Sequence, residues 1–210
     1  FQAAMHERLV ARMELEDALR GALERNELVL YFQPRVAGTD LHCLGAEALV
    51  RWQHPQRGLV SPAVFIPVAE ETGLIVSIGA WVLQTAATQL AQWQARHPQL
   101  QLSVNLSARE FRDPGLLGRL RSAADAAHGR LEVEVTESMV MHNNTLAQDL
   151  LGQIRALQVG VALDDFGTGF SSLAYLKTFP LDVLKIDQSF VRNLETDLQD
   201  RAIVKTVIDL

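Results

Sequence analysis

The chain has 210 residues, 48% of them hydrophobic, enough for one substantial core. A formal charge of −6 without any Lys/Arg cluster argues against a nucleic-acid polymer as ligand, so an anionic ligand must be recruited by local cations. The single cysteine, Cys43, excludes an internal disulfide; it lies in a strand-like run, where a buried small apolar residue is expected, and it fits a reducing compartment.

The first 25 residues place Leu9, Met13, Leu15, Leu19 and Leu23 at roughly helical spacing among many charges. This predicts an amphipathic helix that joins an upstream domain, with 26–210 as the domain proper. Leu28 to Gln33 (LVLYFQ) and Cys43 to Trp52 (CLGAEALVRW) read as strands across the turn-like Gly38-Thr39-Asp40. Ser61-Pro62 opens a short helix, and Ser77 to Arg96 reads as a longer amphipathic one ending before Pro98. Then strands over 101–106, 131–136, 160–164 and 183–187 alternate with helices near 115–127, Thr145 to Leu157, 171–178 and from about 197. Strand followed by helix, repeated, means mainly parallel strands with helical crossovers, which an open doubly wound sheet and a closed (β/α)8 barrel both satisfy. Six strands are visible, against the eight of a closed barrel. No stretch has the order of a signal peptide, and the longest mainly apolar run, Leu74 to Leu83, is too short to cross a bilayer. A soluble, cytoplasmic domain is expected, in a parent protein free to carry a membrane anchor.

Side chains alternate along a strand, so residues of one parity share a face. Glu47, Leu49 and Arg51 share one, as do Ser103 and Asn105; Glu132, Glu134 and Thr136 share another, opposite Leu131, Val133 and Val135. Next come Asp164 with Asp165, then Lys185 and Asp187 on one face. Polar residues near the C-terminal ends of successive strands are where α/β folds build their sites. Glu47, Asn105, Glu134, Asp164 and Asp165 offer oxygens suited to a hard cation such as Mg²⁺ or Mn²⁺, whereas no His or Cys spacing suits structural zinc. Any one such acid is as easily a turn former or helix cap; the recurrence on every strand is what points to chemistry. For Glu132, Glu70, Glu71 and the six histidines a purely structural role is expected.

The motifs GAEALVRWQHP (45–55), FIPVAEETG (65–73), SVNLS (103–107), EVTE (134–137), DDFGTGFSSL (164–173) and KIDQSF (185–190), in this order, resemble the EAL domain, the phosphodiesterase domain of bacterial cyclic di-GMP signalling. The resemblance implies a modified (β/α)8, TIM-like barrel with one antiparallel strand that hydrolyses cyclic di-GMP to linear 5′-pGpG with Mg²⁺ or Mn²⁺, two ions being expected. It implies that Glu47, Asn105, Glu134 and Asp164 hold one metal, that Asp165 helps hold a second, and that Lys185 sits beside the attacking water. Arg51 contacts phosphate, Gln33 and Leu49 line the ligand site, Glu137 anchors the DDFGTGFSS loop, and Asp187 lies near the metals. A homodimer and an upstream sensory or GGDEF-type domain are further expectations. The alternative is a catalytically inactive EAL-type receptor for cyclic di-GMP. Phe170 stands where a tyrosine is more usual, and Arg35 where many relatives carry an aliphatic residue. The chain reaches Leu210 within the helix after its sixth strand, so the family's later Ala-Glu-Gly-Val-Glu segment, whose glutamate completes the second metal site, is expected in a longer domain.

Overall fold

The computed structural model describes residues 2–141, 144–167 and 178–209. The expected helix over 171–178 and most of the DDFGTGFSS loop lie outside the described residues, apart from Thr178. In chain order the elements are α1 (Gln2–Arg20), β1 (Leu28–Val36), β2 (Cys43–His54), β3 (Gly58–Val60), α2 (Pro62–Thr72), α3 (Leu74–Gln94), β4 (Gln101–Asn105), α4 (Ala108–Phe111), α5 (Leu116–Ala126) and β5 (Leu131–Thr136). After these come α6 (Glu137–Met141), α7 (Asn144–Ala156), β6 (Gly160–Phe166), β7 (Val183–Ile186), α8 (Gln188–Arg192) and α9 (Leu198–Ile208).

The strands form one seven-stranded sheet in the order β1-β2-β4-β5-β6-β7, with β3 paired to β2. β2, β4, β5, β6 and β7 run parallel, and β1 is antiparallel to β2, as the α/β barrel with one reversed strand requires. β3 is a seventh strand beyond the six expected: after the turn at 55–57 it folds back on β2, pairing Trp52 with Val60. Its three residues are too few to show alternation, which is why pattern reading passes over it.

Local signals explain most helix starts. Ser61 precedes Pro62 at the first turn of α2, and Gly73, at φ 85, closes α2 and opens α3. Ser107 and Glu110 form a reciprocal capping box on α4, and Asp197 accepts from Gln199 N (2.7 Å) and Asp200 N (3.3 Å) at the start of α9. α3 starts at Leu74, three residues before the expected Ser77, and its 21 residues are apolar enough by length and composition to cross a bilayer. That corrects the expectation drawn from the shorter run Leu74 to Leu83. In the fold α3 packs on α5 and β4 and buries Ile78, Leu83 and Leu90, as a core helix does.

Leu102, Val104, Val133, Val161 and Leu163 are wholly buried, and removing each Leu from water contributes roughly 2 kcal/mol. Gly45 is required by close approach: a Cβ there would come within 2.1 Å of the Gln101 carbonyl oxygen on β4. In α1, Leu15 and Leu19 are buried, but Met13 is 66% exposed, so the apolar stripe is narrower than its spacing suggests. Cys43, expected inside, is exposed because it starts β2 at the sheet margin, its Sγ donating only to the Gly45 carbonyl at 3.4 Å.

Candidate active site

Parallel register explains how residues distant in sequence meet. Glu47 pairs with Ser103, Asn105 with Glu134, and Glu134 with Ala162, two positions before Asp164. The polar residues advance by two positions on alternate strands, which offsets the tilt of barrel strands and holds them at one level. From the antiparallel side, the β1 register sets Gln33 opposite Glu47, Tyr31 opposite Leu49 and Val29 opposite Arg51.

Lys185 lies at the centre. Its Nζ donates to Glu134 Oε2 (2.5 Å), Glu47 Oε2 (3.1 Å) and Asp164 Oδ2 (3.3 Å), and Asn105 Nδ2 donates to Glu47 Oε1 at 2.7 Å. Burial works against the Lys185 charge, but the Glu134 bond and the surrounding carboxylates outweigh it and hold the ammonium well above the ordinary lysine range. Glu134, only 1% exposed, is pushed the other way by burial: its pKa rises although Lys185 opposes the change. Glu134 Oε1 and the neighbouring Ser103 Oγ are buried without a full hydrogen bond among the described residues, although Ser103 lies near enough to join Lys185 in opposing the rise of the Glu134 pKa. Three carboxylates thus share one ammonium, and a buried acceptor is left over.

The adjacent acids are separated by a break in the ladder. β6 pairs Leu163 with Leu184 but Phe166 with Ile186, so a register shift falls at Asp164-Asp165. Asp165 adopts φ 56, a left-handed conformation that aspartate tolerates better than most residues. A regular strand would send the two carboxylates to opposite faces; the irregularity frees Asp165 from that alternation. Asp165 is exposed, and burial, Asp164 and Asp187 together raise its pKa against the pull of Lys185.

The remaining candidates fall as follows. Glu137 is buried and its Oε2 accepts from Gly167 N at 3.3 Å, on the last described residue before the loop. Asp187 caps α8, accepting from Ser189 N at 2.9 Å and from Ser189 Oγ, and those bonds lower its pKa. Arg51 donates to the Val50 carbonyl (2.9 Å) and lies over the Tyr31 ring, 5.6 Å from its centroid. Gln33 is exposed beside Glu47. Leu49, Arg51 and Asn105 line a cavity of about 290 Å³ that also reaches Ile75, Gly79 and Glu110. Tyr31 and Glu110 escape pattern reading; the register of β1 for one and the Ser-x-x-Glu spacing for the other are the signals that lead to them.

Among the described residues, no three acidic, imidazole or thiol side chains stand as a ready-made metal cage, because the carboxylates turn to Lys185. The donor set nevertheless fits a hard divalent cation: all oxygen, more carboxylate than the ammonium can neutralise, and one buried oxygen unsatisfied.

A family model for the EAL domain matches residues 16–210. The bifunctional diguanylate cyclase/cyclic di-GMP phosphodiesterase MucR of Pseudomonas aeruginosa is 43% identical over 214 residues, covering 100% of this chain and 31% of that protein. The cyclic di-GMP phosphodiesterase PdeR of Escherichia coli is 38% identical over 211 residues, covering 99% of this chain and 32% of that one. The chain therefore spans about a third of the length of these curated relatives. Among solved structures, the P. aeruginosa MucR phosphodiesterase in complex with cyclic di-GMP superposes with a TM-score of 0.89 at 44% identity, covering 93% of this chain and 81% of that one. The FimX EAL domain from P. aeruginosa bound to cyclic di-GMP superposes with a TM-score of 0.81 at 32% identity, covering 93% and 79%. With the motifs, the sheet order and these relatives in agreement, the chain belongs to the EAL domain family.

Proposed function

We propose that this domain hydrolyses cyclic di-GMP to linear 5′-pGpG in a divalent-cation-dependent reaction, as one module of a longer signalling protein. The observation that carries the reading is the gathering of Glu47, Glu134 and Asp164 around a single ammonium, with Glu134 Oε1 buried and without a full hydrogen bond among the described residues. Such a cluster is costly to bury for stability alone and is explained by a ligand that brings positive charge. Glu47, Asn105, Glu134 and Asp164 would hold one Mg²⁺ or Mn²⁺, and Asp165 would help hold a second. Ions bound there supply Lewis-acid stabilisation and an acidified water.

The chain's own residues do the rest. Water oxygen bonds to phosphorus, one P–O3′ bond breaks, and the products are a 5′-phosphate and a free 3′-hydroxyl. Lys185, a compact ammonium among carboxylates, suits a hydrogen bond to the attacking water or to a phosphoryl oxygen as charge builds on it. Arg51, steadied by Tyr31 and the Val50 carbonyl, suits a phosphate contact beside Leu49, with Gln33 on the neighbouring strand. Glu137 ties the start of the loop through Gly167.

The test is incubation with cyclic di-GMP and Mg²⁺ or Mn²⁺, with and without chelator, following pGpG by chromatography. Metal-dependent pGpG supports the proposal; tight binding without product favours the inactive receptor, and neither binding nor product removes both.

A further inference from the structure

We infer that Glu110 reads a guanine base: its Oε1 accepts a hydrogen bond from the N1–H or 2-amino group of one base seated in the cavity beside Arg51 and Asn105. The inference rests on the cyclic di-GMP reading above and deepens it by naming a specificity-determining residue.

The cavity shares Leu49, Arg51 and Asn105 with the candidate active site, so a ligand whose phosphate reaches Arg51 has this space beside it. At about 290 Å³ it falls just below the roughly 300–1,000 Å³ usual for small-molecule sites, room for one ring system and not for a whole dinucleotide. Ile66, Ile75, Ile78 and Val82 give it apolar walls suited to the faces of a flat ring.

Two acids line it, Glu70, which is half-buried and can reach water, and Glu110, which is buried. Glu110 is 2% exposed, and its two oxygens differ. Oε2 accepts from Ser107 N (3.0 Å) and Ser107 Oγ (2.6 Å), completing the capping box of α4. Oε1 is buried without a hydrogen bond among the described residues. Helix capping therefore explains one oxygen and leaves the other unexplained. Oε1 lies against Gly79, itself part of the cavity wall, where a Cβ would come within 1.6 Å of it, so the glycine makes room for the carboxylate. Burial raises the Glu110 pKa against the Ser107 hydrogen bonds, as expected of a carboxyl whose lost hydration is only partly replaced.

An N–H donor supplied by a ligand relieves that deficit. The pairing edge of guanine carries two adjacent donors, N1–H and the 2-amino group, both complementary to a carboxylate oxygen. Adenine presents a ring-nitrogen acceptor and a C–H in the same places, setting lone pair against lone pair. A buried group built to take a substrate N–H rejects an analogue that lacks it far more strongly than an apolar pocket does.

The experiment measures dissociation constants for cyclic di-GMP and cyclic di-AMP by calorimetry with Mg²⁺ present, product being followed in parallel. Wild type is compared with Glu110→Ala and Glu110→Gln. Glu110→Ala is expected to weaken cyclic di-GMP by roughly ten- to a hundred-fold and to change cyclic di-AMP by less than about threefold, so that discrimination between the bases collapses. Glu110→Gln, whose single oxygen can keep the Ser107 contacts, puts its NH2 in place of Oε1, a donor facing the guanine donors, so it shifts the ratio the same way at least as strongly and carries the test if the alanine variant melts early. Equal losses for both ligands, or an unchanged preference for guanine, overturn the inference while leaving the phosphodiesterase reading intact. Failure of wild type to bind cyclic di-GMP overturns both.

Discussion

Glu132 and Glu134 sit two residues apart on one face of β5, both nearly fully buried, and they live in opposite electrostatic circumstances. Glu132 Oε1 accepts from Arg35 Nη1 on β1 at 2.5 Å, a one-to-one pair near the N-terminal ends of the parallel strands. Glu134 competes with Glu47 and Asp164 for the Lys185 ammonium and keeps one oxygen without a full hydrogen bond among the described residues. A balanced buried pair satisfies itself and asks nothing of a ligand. An unbalanced cluster is stable only as a compromise, and its excess negative charge marks where chemistry occurs.

The contrast is tested most strongly at the unbalanced end. Glu134→Gln, Glu47→Gln and Asp164→Asn are each expected to lower the proposed hydrolysis roughly a thousandfold, because each removes part of the charge that would hold a divalent cation. The same variants should change unfolding free energy without metal by no more than about 1 kcal/mol, since each also relieves crowding of like charge. Near-normal turnover in any of them would break the comparison. Lys185→Met acts in the other direction. It leaves the carboxylates uncompensated and is expected to cost about 2–3 kcal/mol in chelator, the loss being largely restored by Mg²⁺ or Mn²⁺. Denaturant unfolding with and without the cation decides it, and a loss that no cation repairs would assign Lys185 a packing role.

How much of this the sequence discloses depends on the interaction. The alternation LEVEVT announces a strand with acids on one face, and Lys185 shares a face with Asp187 in the run 183–187, so parity finds both. That Glu134 meets Lys185, 51 positions away, follows only from parallel register, which spacing does not give. The Arg35–Glu132 pair spans 97 positions, and Glu132, read from pattern as unremarkable, proves structural for a reason the pattern lacks. The break at Asp164-Asp165 is invisible for another cause: a run reading VALDDF looks regular until pairing with β7 shows the slip. Cys43 misleads because apolar character is averaged over a run, whereas exposure depends on where the strand enters the sheet.

At the balanced end the expected effects are on stability alone. Arg35→Leu removes the partner of a carboxylate that is 5% exposed and should destabilise the fold by about 2–3 kcal/mol, with turnover at permissive temperature unchanged. The double variant Arg35→Leu with Glu132→Val, which removes both charges, should recover most of that loss. Thermal melts of the two single variants and the double close the cycle. A double variant no better than Arg35→Leu would show that the guanidinium acts through packing of its stem and not through charge.

The smallest effect belongs to Glu137, which stands between the two regimes. It is 4% exposed, much like Glu132, yet among the described residues its hydrogen-bond partner is a single backbone N–H, that of Gly167 at 3.3 Å. Gly167 has φ 99, a conformation that favours glycine, and a Cβ there would meet the Phe190 ring at 2.9 Å, so the entry to the loop is constrained from two sides. Removing the carboxylate frees one of those sides and deprives a backbone donor of its acceptor, a change of about 1 kcal/mol. Glu137→Ala is therefore expected to lower kcat about threefold to tenfold with a smaller change in KM, because the loss falls on how the loop entry is held and not on phosphate contact. Stopped-flow and steady-state rates on the same preparation separate the two parameters. A change confined to KM would make Glu137 part of ligand binding, and unchanged kinetics would reduce its hydrogen bond to ordinary helix-start chemistry.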